Sequence, residues 1–413
     1  MLHTITENQI NDIEEALSSI DKCIQQYTEP FKQLSLDDGK IGLAIYFYYK
    51  NLYTGKDVFL SKARYLVEEC IENLENSILQ YQNKYLTDSL SNYLSGFGKA
   101  LLLIENHLDS FFNFSAIHQS LQQLLIELNT QNFINNDFDL SSGALACGTY
   151  FTNHYKYMKD DTCKQHLLEI VNEIDKKKQS DDNGQTIFWG SPSLNDKVYI
   201  GISHGSAMII NFLTKLFNLQ ILDKTDKPKI ELLTKAVDFV INQKRNYNSG
   251  YFPTFYPNNE GVITTQFTIC YGDLGVAYSL YEASFFLSTS EIKTTAMQIL
   301  ESCAKRSLDK TYTFDAGITY GATGLFIAFE KMYRKYSMNM FKIASNYWAE
   351  RIFEFRNVHK KDYAGFINRF DKNTNDIPFN LSFGWGLVGI AIGLMTNSKG
   401  DLPSIDELTI IGI

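Results

Sequence analysis

Residues 269–281 read ICYGDLGVAYSLY and residues 318–329 read ITYGATGLFIAF. Each has a small or polar lead-in, glycine, and then a mostly apolar run. The same unit occurs five more times, as DDGKIGLAIYFYY, LSGFGKALLLI, LSSGALACGTYF, ISHGSAMIINFL and FGWGLVGIAIGLM. The leading glycines are Gly39, Gly96, Gly143, Gly205, Gly272, Gly321 and Gly386, spaced by 57, 47, 62, 67, 49 and 65 residues. A period near 58 accommodates two helices of about 15–18 residues and two loops. Glycine lets the chain turn tightly into a helix and lets that helix approach its neighbours closely. The run after it is apolar nearly all round, as in AMIINFLTKLF, which predicts a buried helix. The stretches between units, such as KDVFLSKARYLVEECIENL at 56–74, are amphipathic and predict an outer layer. Seven inner and seven outer helices predict an all-α fold, an α,α-toroid that leaves no solenoid ends to cap. The expected organisation is one domain over residues 1–413, its motif loops gathered at one end around a central cavity.

Two connections are longer and more polar, roughly 176–199 and 246–266. The second carries Tyr251, Phe252, Phe255 and Tyr256. It either grips an extended peptide near the cavity mouth or packs its own aromatics on the rim.

Composition narrows the function. An apolar content of 44% with 14% aromatics supplies a core and excludes a disordered chain. A formal charge of −9 and a pI near 5.4 argue against nucleic acid as a partner. The basic cluster DKKKQ at 175–179 reads as a solvated loop or helix end. Six dispersed cysteines without a CxxC pair read as small buried residues in a reducing compartment. The N-terminal stretch lacks an apolar signal region, and the longest uncharged apolar run, 383–395, is short of the roughly 20 residues that span a bilayer. The expectation is a cytoplasmic protein without a membrane span.

Through ISHGSA (202–207), ICYGDLG (269–275) and the spacing of all seven units, the chain resembles the lanthionine synthetase C-like family, which includes the nisin cyclase type. The resemblance implies an α,α-toroid that adds cysteine thiols of a dehydrated precursor peptide to its dehydroalanine or dehydrobutyrine residues, closing thioether rings. It also implies zinc, held by the cysteine of a Cys-Tyr-Gly unit and by both Cys and His of a Cys-His-Gly unit, with a substrate thiol in the fourth position. Cys270 matches the first ligand, but the other two positions hold Thr319 and Tyr320. Zinc sites draw on thiolate, imidazole and carboxylate, normally three from the protein at a catalytic centre. The expectation is therefore no cofactor and no metal ligands. The alternative is a rearranged set of Cys270, His204 and Asp273. Gln266 stands where the nisin cyclase type has an arginine four residues before the cysteine.

His204 matches the family's catalytic histidine and can act as base or acid near neutral pH. Asp139, four residues before Gly143, matches the catalytic aspartate and would orient or charge His204. It also suits a helix N-cap. Tyr271 and Tyr320 could donate hydrogen bonds to a developing enolate oxygen, or simply pack. Cys270, Gln266 and Tyr320 are assigned to the substrate cavity. Asp273 suits a cap of the helix that follows.

Zinc is not indispensable to the chemistry. A free thiol of pKa about 8.5 is about 3% ionised at pH 7, so full ionisation is worth at most about 2 kcal/mol. A general base contributes ~100-fold or more. The resulting expectation is a zinc-independent cyclase with a dehydrated precursor peptide, and a lanthipeptide dehydratase, as partners. The alternative is a catalytically inactive relative that binds the precursor or dehydratase as a scaffold. A third reading, a glycoside hydrolase using Asp139 and Asp273, needs two carboxylates facing a sugar-sized cleft.

Overall fold

The computed structural model describes residues 7–26, 31, 33–82, 89–245, 250–257, 269–311, 313–360, 362–366 and 380–412. Six of the seven leading glycines stand immediately before a helix: Gly39, Gly143, Gly205, Gly272, Gly321 and Gly386. Their φ values lie between −131° and −103°, extended backbone that any residue adopts. What requires glycine is space. A Cβ on Gly205 would lie 2.3 Å from the Tyr199 carbonyl carbon, and one on Gly321 2.3 Å from Gly317 N. The second glycines obey a stricter rule. A Cβ on Gly42, Gly275, Gly324 or Gly389 would fall 2.2, 2.0, 1.8 or 2.0 Å from the carbonyl oxygen six residues earlier, on Leu36, Ile269, Ile318 or Phe383. The lead-in thus folds back over the first helical turn, and only glycine leaves room for it. Gly96 departs from the expectation, because its helix has already begun at Leu90.

The chain divides into two compact units, Met1–Tyr81 with Leu103–Asn113 and Thr313–Thr409, and Gln82–Leu102 with Phe114–Tyr312 and Ile410–Ile413. The first unit contains helices α1 (Glu7–Gln26), α2 (Lys40–Thr54), α3 (Asp57–Glu72) and α4 (Leu74–Leu79), and, later in the chain, α13 (Ala322–Tyr336), α14 (Asn339–Arg351) and α15 (Leu387–Ser398). The second contains α5 (Leu90–Leu103), α6 (Ser115–Ile134), α7 (Ala144–Met158), α8 (Asp161–Lys176), α9 (Ser206–Asn218), α10 (Lys227–Asn242), α11 (Asp273–Ala283) and α12 (Ser290–Ala304).

Within each unit, buried and half-exposed helices alternate as the sequence predicts. α11 is buried along its whole length, and α15 from Leu387 to Thr396. The half-exposed helices bury a single stripe: α3 through Ala63, Val67 and Cys70, and α8 through Cys163, His166, Leu167, Ile170, Val171 and Ile174. Among the described residues, no helix is long and apolar enough to cross a membrane.

Within their described residues, the two long polar connections carry short strands. Gln179–Ser180 (β1) pairs antiparallel with Ile187–Phe188 (β2), and Val198–Tyr199 (β3) with Phe255–Tyr256 (β4). The second ladder ties one connection to the other. Its aromatics pack on the protein itself: Phe252 is buried, while Tyr256 stacks edge-on against Phe239 and tilts against Phe188. Gln266 lies outside the described residues.

Candidate functional site

Two glycine turns meet in the second unit, one leading into α9 and the other into α11. The backbone N–H and the hydroxyl of Ser203 both donate to the Cys270 carbonyl, at 3.2 and 3.4 Å. Gly201 permits the approach, since a Cβ there would stand 2.5 Å from that carbonyl oxygen. The residues just before the capping glycines, His204 and Tyr271, therefore come side by side, ring centroids 5.3 Å apart. Tyr199 of β3 packs against both, at 6.0 and 6.2 Å. His204 is 6% exposed, and the two tyrosines are half-buried.

His204 Nδ1 lies 2.6 Å from Asp139 Oδ2. Asp139 is buried in the turn before α7, and its other oxygen accepts the Ser141 N–H at 2.7 Å. This pairing puts a proton on Nδ1 and leaves the lone pair on Nε2. Among the described residues, no group hydrogen-bonds Nε2. The Ser191 hydroxyl donates to the His204 carbonyl at 2.6 Å, so the histidine is held by ring and backbone together. Asp137 supports the aspartate in turn, accepting the Asp139 N–H at 2.9 Å. Burial, with the negative charge of Asp139 adding to it, pushes the Asp137 carboxyl above the usual carboxylate range. Burial and the same charge push the Tyr199 phenol up.

The first unit repeats this register with different side chains. Thr319 and Tyr320 occupy the places before Gly321 that Ser203 and His204 occupy before Gly205. The Thr319 hydroxyl donates to the Gly384 carbonyl at 3.0 Å, as Ser203 does to Cys270. The Tyr320 ring packs on Trp385, centroids 5.2 Å apart. Thr319 thus serves as a hydroxyl stitch between successive turns. Cys270 is buried, and desolvation pushes its thiol up to about 12. One cysteine, a hydroxyl already donated to a carbonyl and a phenol do not supply the thiolate, imidazole and carboxylate donors that a zinc site takes.

Asp273 belongs elsewhere. Wholly buried at the start of α11, it accepts the Tyr251 and Phe252 N–H groups at 2.9 and 3.0 Å and pairs with Arg306 at 2.6 Å. It anchors the aromatic connection rather than capping its own helix. Its carboxylate is therefore spent on structure, which removes it from both the rearranged metal set and the two-carboxylate hydrolase reading.

Of the residues singled out from sequence, the structure brings together His204, Asp139 and Tyr271, with Cys270 supplying a backbone carbonyl. Tyr199, Ser191, Asp137 and Arg306 escaped notice. Tyr199, Ser191 and Arg306 are placed by strand pairing and tertiary contacts, whereas Asp137 lies in the same turn as Asp139, two residues before it.

A helical protein whose glycine-capped helices set a buried histidine–aspartate pair between two turns is defined by fold and site together. The chain belongs to the lanthionine synthetase C-like protein family, whose pattern matches residues 30–410. Among solved structures, nisin cyclase is similar over 98% of this chain and 98% of its own, with 14% identity and a TM-score of 0.72, and the two share the all-α toroid fold. A family 105 glycoside hydrolase of C. acetobutylicum ATCC 824 is similar at 12% identity over 79% and 98% of the two chains, TM-score 0.41. An unsaturated glucuronyl hydrolase of Bacillus sp. GL1 matches at 12% identity over 86% and 97%, TM-score 0.37. No curated protein matches the chain.

Proposed function

We propose that this protein is a zinc-independent cyclase-like enzyme that promotes addition of cysteine thiols to dehydroalanine or dehydrobutyrine within a dehydrated precursor peptide. The observation that carries the reading is the His204–Asp139 contact of 2.6 Å, at a turn where the family motif is kept while the zinc-ligand positions hold Thr319 and Tyr320.

In this reading His204 Nε2 takes the proton of the peptide thiol, and Asp139 steadies the imidazolium that forms. The sulfur forms its bond to the β-carbon, and the displaced π pair passes onto the enolate oxygen. Tyr271, whose ring lies beside His204, donates a hydrogen bond to that oxygen. The imidazolium returns its proton to the α-carbon, so atoms and charge balance without a cofactor. Ionising the thiol costs about 2 kcal/mol at pH 7. A general base and preorganisation of the two reacting residues offset that.

The protein's own thiols do not compete for the alkene. All six cysteines are buried, and burial pushes Cys70, Cys147 and Cys270 up to about 12.

The second reading is a scaffold that binds the precursor or a dehydratase without chemistry, favoured by the loss of two ligand positions. The test is thiol loss from a dehydrated precursor in buffer containing a chelator. Faster closure than in buffer alone supports the cyclase. Tight binding with no faster closure overturns it and supports the scaffold.

A further inference from the structure

A second cluster of metal-ligating side chains lies in the second unit, where α6, α7 and α8 pack. His154 lies near the C-terminal end of α7, Asp160 caps α8, and Cys163 sits in the first turn of α8. Among the described residues, these three form the group of histidine, cysteine and carboxylate ligands whose atoms all lie within 4.8 Å of one another. Cys163 Sγ is 3.3 Å from His154 Nδ1. Gln122 reaches in from α6 and packs against the cluster, its Nε2 3.3 Å from Cys163 Sγ, 3.3 Å from Asp160 Oδ2, and 3.4 and 3.3 Å from the two ring nitrogens of His154.

With zinc–sulfur bonds of about 2.3 Å and zinc–nitrogen bonds of about 2.0–2.1 Å, sulfur and nitrogen ligands of one ion stand roughly 3.5 Å apart, close to the Cys163–His154 separation. The shell is also prepared. Asp160 Oδ1 is fixed by the Cys163 N–H at 3.1 Å, which leaves Oδ2 turned to the cluster. The His154 ring packs against His118 and Tyr150, with centroids 5.2 and 5.7 Å away. Cys163 is wholly buried, His154 and Gln122 nearly so, and Asp160 is half-exposed, giving an ion a route in.

We propose that His154, Asp160 and Cys163 form a binding site for a transition-metal ion of the zinc type. They supply the imidazole, carboxylate and thiolate donors that zinc takes, and the ion would clamp α7 to α8 without a part in catalysis. The site is independent of His204, and metal found in the purified protein would belong here rather than to Cys270.

The test is titration of the full-length protein, first dialysed against chelator, with Co²⁺ as a spectroscopic stand-in. One equivalent should produce a thiolate-to-cobalt charge-transfer band that Zn²⁺ then bleaches. The band should vanish in Cys163→Ser and persist in Cys270→Ser. Asp160→Asn keeps a side chain able to cap α8, so it folds. It should weaken Co²⁺ binding at least ~10-fold. No band in the wild type, a band that survives Cys163→Ser, or unchanged affinity in Asp160→Asn would overturn the proposal.

Discussion

At the scale of single residues, the account rests on how His204 is held. Asp139→Asn should leave the ring in place but favour the wrong tautomer, with Nδ1 accepting and the Nε2 base lost. We expect a loss of closure rate of ~100-fold or more, read by thiol disappearance, with far-UV circular dichroism unchanged. Asp137 provides a separate check with a defined sign. Its carboxyl is raised above the ordinary range by burial, so the folded protein ionises it at a cost absent below its unfolded pKa and full above its folded one. Asp137→Asn keeps an oxygen for the Asp139 N–H and should raise Tm at pH 7, the gain disappearing towards about pH 4. A gain independent of pH would mean that ionisation is not the cause. His204, Asp139 and Tyr271 were legible through the family resemblance, which each meets at a fixed offset from a glycine. Tyr199 and Ser191 were not, since the first is held by a strand pairing between connections, Val198 with Tyr256, and the second by a contact with the His204 carbonyl that no motif marks.

At the scale of elements, the glycine turns are the device that repeats, and they explain why the fold was readable. A helix entered by a lead-in that folds back takes glycine at its cap and, at α2, α11, α13 and α15, again three residues on, and this spacing survives as a motif. Gly324→Ala would bring its Cβ to 1.8 Å from the Ile318 carbonyl oxygen, and a backbone atom cannot step aside as a side chain does. A loss of about 3 kcal/mol is expected in denaturant unfolding. Gly400→Ala, where nothing lies within 4 Å, should stay within about 0.5 kcal/mol of wild type. The buried ion pair is a different kind of element. Arg306→Ala leaves Asp273 buried without its partner and should cost about 3–5 kcal/mol. It should also release the aromatic connection, since Asp273 holds Tyr251 and Phe252 by their N–H groups. Sequence reasoning took Asp273 for a helix cap because its place at the first helical position is the same in either role. Only the arrival of Arg306 from 33 residues away distinguishes them.

At the scale of the whole molecule, the burial of every thiol separates this protein's sulfur from its substrate's. Cys70, Cys147, Cys270 and Cys303 are each no more than 2% exposed, so their labelling by a thiol reagent should follow global unfolding and coincide with loss of helicity. Fast labelling of any of them in the native protein would contradict the packing described. The all-α toroid fold follows from periodicity that the chain displays openly, whereas the chemistry turns on two positions, Thr319 and Tyr320, where the motif persists and the ligands do not. The central claim is that His204, rather than a metal at Cys270, activates the substrate thiol. Its most direct test is the single-turnover rate of thioether closure of a dehydrated precursor by wild type and His204→Ala, both in the presence of chelator. The account predicts acceleration by wild type and a fall of ~100-fold or more in the variant. Equal rates for the two proteins would contradict it.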